Sequence, residues 1–240
     1  MVKALAKLKQ LLGEQAAQWY PEYFERVGRM PGANRVFRRI RFAADKEELA
    51  DYLAEIRYAF VFASLGFQVE FEPSGQKGPD LGIARDDRRA IVEVMRFRKI
   101  HPGPPLLNVS DVSDEDLVLP TYGNPVRDVR KALDKILAKF EQVRSLPGII
   151  AIWNDDEDLE EVETQVAVCQ ICNDVGRGIL SLPSGLLFVL YGSSWVGDKQ
   201  LYCFPFRPLD QRYETWKAEI EMAVVSDHVQ RALSPSTNTG

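Results

Sequence analysis

The sequence predicts an α/β protein with a central mixed β-sheet flanked by helices. Three observations support this fold class. Residues 67–72 alternate between apolar and polar side chains, which is typical of a half-buried strand. Residues 149–153 form a short apolar run, which is typical of a buried parallel strand. Residues 125–145 lie between them with helical periodicity, and strands followed by long helices favour a sheet covered by helices.

The first 44 residues are predicted to form an N-terminal extension, part helical and part irregular. Leu5, Leu8 and Leu12 fall at helical spacing and predict a helix over residues 3–19. Residues 20–41 contain two prolines and two glycines, which predict an irregular connection. Arginines at positions 26, 29, 35, 38, 39 and 41, with aromatic residues among them, suit contact with phosphates, and a solvated loop explains them equally well.

Residues 45–231 are predicted to form a single α/β domain. Asp45, with Glu48 three residues later, is a capping-box pattern and begins a helix that runs to about residue 65. The elements expected after it are strands 67–72, 80–84 and 90–98, a long loop over 101–125, helix 125–145, strand 149–153, helix 158–174, strands 186–191 and 200–206, and helix 210–231. Residues 232–240 are predicted to be a disordered tail.

Composition and charge exclude several classes of protein. The net charge of −5 argues against a protein that coats DNA electrostatically, although it permits a local basic cleft. No apolar run is long enough to cross a bilayer, and the lysine-rich N-terminus lacks the apolar core of a signal peptide. We therefore expect a cytoplasmic protein without a membrane partner. The oligomeric state is not predicted.

The cysteines do not predict a zinc site. Cys169 and Cys172 form a CxxC pair, but Cys203, His101 and His228 are not at paired spacing, so four ligands are not assembled. The CxxC pair lies inside a predicted helix, whereas a thioredoxin-type pair opens one. We expect reduced core cysteines. The histidines are isolated, and no catalytic triad or phosphate-binding loop is present.

Three carboxylates are candidate ligands for a divalent metal. Asp80 begins a predicted strand, Glu93 lies in the middle of the next strand, and Glu55 lies on the preceding helix. Cations such as Mg²⁺ prefer oxygen ligands, often one or two carboxylates with water and substrate phosphate. A metal held between neighbouring strands can activate water and stabilise a leaving oxygen.

Two of these carboxylates are predicted to point inward. Glu93 shares one side of its strand with Ile91, Met95 and Phe97, so it lies on a largely apolar face. The helical neighbours of Glu55 are also apolar or aromatic, which predicts a buried position. A buried carboxylate needs a partner or a metal.

The motifs Leu65-Gly66-Phe67, Pro79-Asp80 and Glu93-Val94-Met95, preceded by Glu55, resemble the PD-(D/E)XK restriction endonuclease-like nuclease superfamily. The resemblance covers residues 47–153. It implies a restriction endonuclease-like αβββαβ core with N- and C-terminal extensions. It further implies Asp80 and Glu93 as ligands of Mg²⁺ or Mn²⁺, Glu55 as an outer ligand, and hydrolysis of nucleic-acid phosphodiester bonds, with DNA favoured over RNA.

Met95 departs from the pattern, because the superfamily has a lysine at this position. A thioether carries neither a charge nor a transferable proton. Lys135 is the best-placed replacement and Lys131 is next, although both lie opposite the apolar stripe of their helix, which favours a solvated lysine face. Lys77 lies in the loop before Asp80. Lys99 is six residues from Glu93 and Arg96 has the wrong strand parity.

Three interpretations therefore remain open. The first is a metal-dependent nuclease. The second is a catalytically inactive nuclease fold that binds nucleic acid or a protein partner. The third is an unrelated α/β protein in which Glu55, Asp80 and Glu93 pair with arginines, the expected partner of Glu55 being Arg57 or an arginine from residues 35–41.

Overall fold

The computed structural model describes residues 1–18, 20–75, 78–97, 125–140, 146–155, 159–193 and 201–222. These ranges contain eight helices and six strands. In chain order they are α1 (Val2–Leu12), α2 (Glu14–Ala17), α3 (Pro21–Val27), α4 (Ala33–Phe42), α5 (Lys46–Ser64), β1 (Gln68–Phe71), β2 (Leu81–Arg85), β3 (Arg88–Phe97), α6 (Pro125–Phe140), β4 (Gly148–Asn154), α7 (Glu161–Gly176), β5 (Leu186–Ser193), β6 (Tyr202–Pro205) and α8 (Gln211–Met222).

The strands form one mixed sheet in the order β1-β2-β3-β4-β5-β6, which confirms the predicted α/β class. β1, β2 and β3 are successively antiparallel, β3, β4 and β5 are parallel, and β6 is antiparallel to β5. Parallel neighbours require a crossover connection, and α6 and α7 lie in the two crossovers. Every residue of β4 is buried, as its apolar sequence predicts.

The two faces of the sheet pack against different helices. Val92, Ile149 and Phe188 share a core with α1, α3, α4, α5 and α8. Ile91, Ile150 and Val189 share a second core with α6 and α7. Consecutive residues of a strand point to opposite faces, so the two cores alternate along each strand. No helix within the described ranges is long and apolar enough to cross a membrane.

The N-terminal extension differs from the prediction. The helix predicted over 3–19 is divided at Gly13, which has φ of 90°. Residues 20–41 are not an irregular connection but contain α3 and α4. Pro21 takes the first turn of α3, where no backbone N–H is needed for the helix. Helix α4 has a buried apolar stripe that stabilises it, formed by Ala33, Val36, Phe37 and Ile40. The arginines between these residues make the helical pattern difficult to recognise in the sequence.

Helix α5 begins as predicted. The Asp45 side chain accepts a hydrogen bond from the Glu48 backbone N at 2.8 Å, and the Glu48 carboxylate accepts one from the Ala44 N at 2.6 Å. From Leu53 to Phe62 the helix is buried on all sides. The predictions for residues 98–124, 141–145 and 223–240, including the loop and the tail, lie outside the described residues.

Candidate active site

Asp80 lies where β2 begins beside the middle of β3. Leu81 of β2 is the register partner of Val92 of β3. Asp80 precedes Leu81 and Glu93 follows Val92, so the two carboxylates occupy the next opposed positions. The Oδ2 atom of Asp80 accepts a hydrogen bond from the Val94 backbone N at 2.8 Å. The Asp80 side chain therefore extends the pairing of β3 beyond Leu81, the first residue of β2.

Glu93 is buried, with 8% of its surface exposed. Its strand neighbours Ile91 and Phe97 belong to the core beneath α6 and α7, and Met95 packs against that core. Strand alternation places Glu93 on the same face, as predicted. Glu93 thus lies on the opposite side of the sheet from α5.

Glu55 is buried in α5, and its inward orientation is confirmed. Its partner is Arg39 of α4, one of the arginines expected from residues 35–41. The Nη1 atom of Arg39 donates to Oε1 of Glu55 at 3.0 Å, and Nη2 donates to Oε2. Both carboxylate oxygens are therefore engaged by one guanidinium in the bidentate geometry that is the strongest form of this pair.

Glu72 is a member of the site that the sequence did not predict. It is 5% exposed, and its Oε1 lies 3.2 Å from the Nε of Arg39. Its φ of 47° interrupts strand alternation after β1, which brings the side chain to α4 on the face that Phe71 also occupies. Arg35 donates to the Glu72 carbonyl at 2.6 Å and fixes this turn. Neither feature has a signal in the sequence.

Arg39 is thus shared by a cluster of carboxylates. Burial, followed by the negative charge of Asp80, raises the pKa of Glu55 to about 8, against the lowering effect of Arg39. Burial lowers the pKa of Arg39, but the carboxylates of Glu55, Glu72 and Asp80 outweigh it, so the pKa is raised. The guanidinium therefore stays charged while Glu55 holds its proton to unusually high pH.

The stability of the protein should depend on pH through Glu55. Its pKa is 4.5 in an ordinary setting and about 8 in the folded protein, so the folded state binds more protons between these values. The free energy of unfolding should therefore fall as pH rises from 5 to 8. Glu55→Gln cannot ionise and should reduce this fall. Urea unfolding of both proteins at pH 5, 6, 7 and 8 measures it, and an unchanged pH dependence in the variant contradicts the assignment.

The candidate substitutes for the missing lysine are exposed on α6, paired with acidic residues of α5, or outside the described residues. Lys131 and Lys135 are exposed on α6, whereas the apolar stripe of that helix is buried. Arg96 lies on the α5 face, where it donates to Asp51 at 2.9 Å, in agreement with its strand parity. Lys77 and Lys99 lie outside the described residues.

A second buried charge network joins the carboxyl ends of β3 and β4 to α5. Arg96 has a side chain that is only 5% exposed and is paired with Glu47, Asp51 and Asp155. Arg57 donates to the Tyr20 hydroxyl at 3.0 Å. These contacts hold α5 against the sheet, and they also show that Arg57 is not the partner of Glu55.

The candidate carboxylates differ in their suitability as ligands of a divalent cation. Within the described ranges, no group of three histidine, cysteine, aspartate or glutamate side chains could hold a metal ion. Glu55 does not fit as a ligand here, because both of its oxygens accept hydrogen bonds from Arg39. Asp80 and Glu93 provide two carboxylate donors on adjacent strands, the donor type that Mg²⁺ prefers. The charge of Asp80 also acts on Glu55, whereas Glu93 lies on the other face of the sheet.

No family model, curated protein or solved structure matches the chain. Function must therefore be inferred from the residues of the chain itself.

The described cysteines do not form a site. Cys203 is buried and Cys172 is half-buried, whereas Cys169 is exposed, contrary to the expected core position. Cys169 and Cys172 lie within α7, as the predicted helix requires.

A groove of about 570 Å³ lies over β1, β2 and β3. Its lining includes Met30, Phe67, Glu70 and Gly82. Glu55, Asp80 and Glu93 do not line it. The groove is therefore separate from the candidate active site.

Proposed function

We propose that the chain is a metal-dependent hydrolase of nucleic-acid phosphodiester bonds, with DNA favoured over RNA. The single observation that carries the proposal is the position of Asp80 and Glu93, which directly continue the paired residues Leu81 and Val92 of β2 and β3. The order α5-β1-β2-β3-α6-β4 supports a PD-(D/E)XK-type core, because it has the helix, three strands, helix and strand of that core in sequence.

In this proposal, Asp80 and Glu93 hold Mg²⁺ or Mn²⁺. The metal supplies charge stabilisation at the phosphate and lowers the pKa of a bound water. The chain contributes rigid placement of the two carboxylates. Asp80 is positioned by the hydrogen bond from the Val94 N, and Glu93 by the apolar face on which it lies. Met95 can neither accept a proton nor stabilise negative charge, so we expect slow turnover.

Glu93→Gln should lower the rate of cleavage by about 100-fold or more, because it removes the charge of a metal ligand while keeping its shape. Asp80→Asn should do the same, and its amide oxygen can still accept from the Val94 N. The measurement is cleavage of single-stranded, duplex and branched DNA and of RNA, with Mg²⁺ and with Mn²⁺. Glu70→Gln is the matched control, since Glu70 is exposed on the nearby strand β1.

The proposal is rejected if the wild-type protein cleaves none of these substrates with either metal. Equal loss of activity in Glu70→Gln would also contradict it, because that variant changes an exposed carboxylate outside the opposed pair. Thermal unfolding followed by circular dichroism checks that each variant remains folded.

A second candidate function is that of a nuclease-like fold without catalysis, which binds nucleic acid or a protein partner. Two observations favour it: Arg39 engages both oxygens of Glu55, and Met95 occupies the lysine position. Met95→Lys separates the two candidates. Cleavage gained by this variant over an inert wild type supports the second. Calorimetric binding of Mg²⁺ or Mn²⁺ by the wild type that is lost in Asp80→Asn contradicts it.

A further inference from the structure

The charges of the chain are segregated along the sequence. Residues 1–42 contain nine basic and three acidic residues, whereas the other 198 residues contain 21 basic and 32 acidic residues. The net charge of −5 therefore conceals an N-terminal part with a charge of +6. A polyanion would be attracted to this part and repelled by much of the rest.

Helix α4 presents this positive charge to solvent. Its apolar stripe faces the core, and Arg35, Arg38 and Arg41 lie on the exposed side. They are three residues apart, so they follow one another along the helix at intervals of about 4.5 Å. The helix contains no acidic residue.

Neither Arg38 nor Arg41 forms an ion pair within the described part of the chain. Other exposed basic residues nearby do have partners: Arg29 pairs with Glu25 at 2.8 Å, and Lys9 pairs with Glu14 at 3.1 Å. The positive charge at Arg38 and Arg41 is therefore not compensated by neighbouring carboxylates. This is what distinguishes α4 from an ordinary solvated helix, whose charges are mixed.

An exposed aromatic ring completes the surface. Phe42 ends α4, and its aromatic side chain is 64% exposed. The guanidinium carbon of Arg41 lies 4.9 Å from the centroid of its ring. The ring is thus held beside a cation, at the end of the row of arginines.

We propose that the exposed face of α4, formed by Arg35, Arg38, Arg41 and Phe42, binds single-stranded nucleic acid. The guanidinium groups contact successive phosphates. Phe42 stacks on a base, and base stacking on aromatic side chains is a principal source of affinity for single strands. A duplex offers the same phosphates, but its bases are already stacked on one another, so the exposed ring favours the single strand.

The α4 surface belongs to the helix that contacts the Glu55–Glu72 cluster. Arg39 on the inward side of the same helix holds Glu55 and Glu72, and Arg35 donates to the Glu72 carbonyl. The inner side of this helix also feels the charge of Asp80, which contributes to the raised pKa of Arg39. The inference rests on the proposed function for the class of ligand, but binding itself requires no hydrolysis.

Fluorescence anisotropy with labelled oligothymidylate of 20 nucleotides, in EDTA and without divalent metal, tests the proposal. Arg38→Glu/Arg41→Glu should weaken binding by about 10-fold or more and lower the slope of log affinity against log salt concentration by about two. Phe42→Ala should weaken binding of the single strand by about fivefold or more and leave binding of a duplex unchanged. Arg177→Glu/Arg212→Glu, which changes the same charge at two exposed arginines elsewhere, should have little effect.

Several outcomes overturn the inference. They are unchanged binding by Arg38→Glu/Arg41→Glu, an equal loss in the Arg177→Glu/Arg212→Glu control, tighter binding of duplex than of single strand, and displacement of the oligonucleotide by polyglutamate of the same charge at equal concentration. Binding that follows the expected pattern in a protein that cleaves nothing retains this inference and rejects hydrolysis. Cleavage that survives Arg38→Glu/Arg41→Glu with unchanged affinity rejects this inference alone.

Discussion

Arg39→Met should lower the free energy of unfolding by about 2–3 kcal/mol, because it leaves the buried carboxyl group of Glu55 without its two hydrogen-bond donors and the buried Glu72 without its cation. Glu55 and Glu72 are each 5% exposed, and both pair with this guanidinium. Methionine keeps much of the length and apolar stem of the arginine, so the loss reports on charge more than on packing. Urea unfolding at pH 7 measures the effect.

The neighbouring residue provides the control for this prediction. Arg38→Met makes the same chemical change one position away, on the exposed side of α4, and should change stability by less than about 0.5 kcal/mol. A second arm replaces both carboxyl groups by amides that cannot ionise: Glu55→Gln/Glu72→Gln in the Arg39→Met background should recover part of the loss. If Arg39→Met is as stable as Arg38→Met, the carboxylate cluster does not depend on this guanidinium.

Gly32→Ala should destabilise the protein by about 3 kcal/mol or more, since strain and overpacking act together. A Cβ atom at Gly32 would lie 2.2 Å from the Phe71 carbonyl oxygen, and φ at Gly32 is +77°. The overlapping atom belongs to the backbone of Phe71. A hydrogen bond from the Phe71 N to the Pro31 carbonyl, at 2.9 Å, holds the two backbone segments together. The chain cannot relieve the overlap without separating the start of α4 from the end of β1.

Gly66→Ala is the control for the close approach at Gly32. Gly66 has a similar φ of +84°, but a Cβ atom there would meet nothing within 4 Å. Its substitution should cost about 1 kcal/mol, the penalty of a left-handed alanine alone. Urea unfolding of the two variants separates conformational strain from steric overlap, and equal losses would show that the approach of β1 to Gly32 is not tight.

Much of the domain could be predicted because its elements have strong local signals. Asp45 begins α5 with a cap that involves only its near neighbours, and the alternation of β1 and the apolar run of β4 reflect the face or faces that each strand buries. These patterns arise from contacts of each element with a core, and they do not depend on distant partners. The inward orientation of Glu55 could be read in the same way.

The remainder depends on contacts between distant residues. Arg39 and Glu55 are 16 residues apart and lie on different helices, and nothing in either segment specifies the pair. Glu72 joins the site through a positive φ, which strand alternation does not anticipate. Helix α4 was missed because prolines and glycines flank it and arginines interrupt its apolar stripe, whereas packing against α1 and α5 stabilises it.

The sharing of Arg39 by Glu55 and Glu72 also limits which substitutions these three positions can accept. Replacing Arg39 alone leaves two buried carboxyl groups without their partner, so we expect a concerted apolar replacement of all three residues to be tolerated better than the loss of Arg39 alone. These positions should accordingly be inherited as a set. An engineer who transplants α5 and the turn after β1 onto another scaffold would have to carry α4 with them.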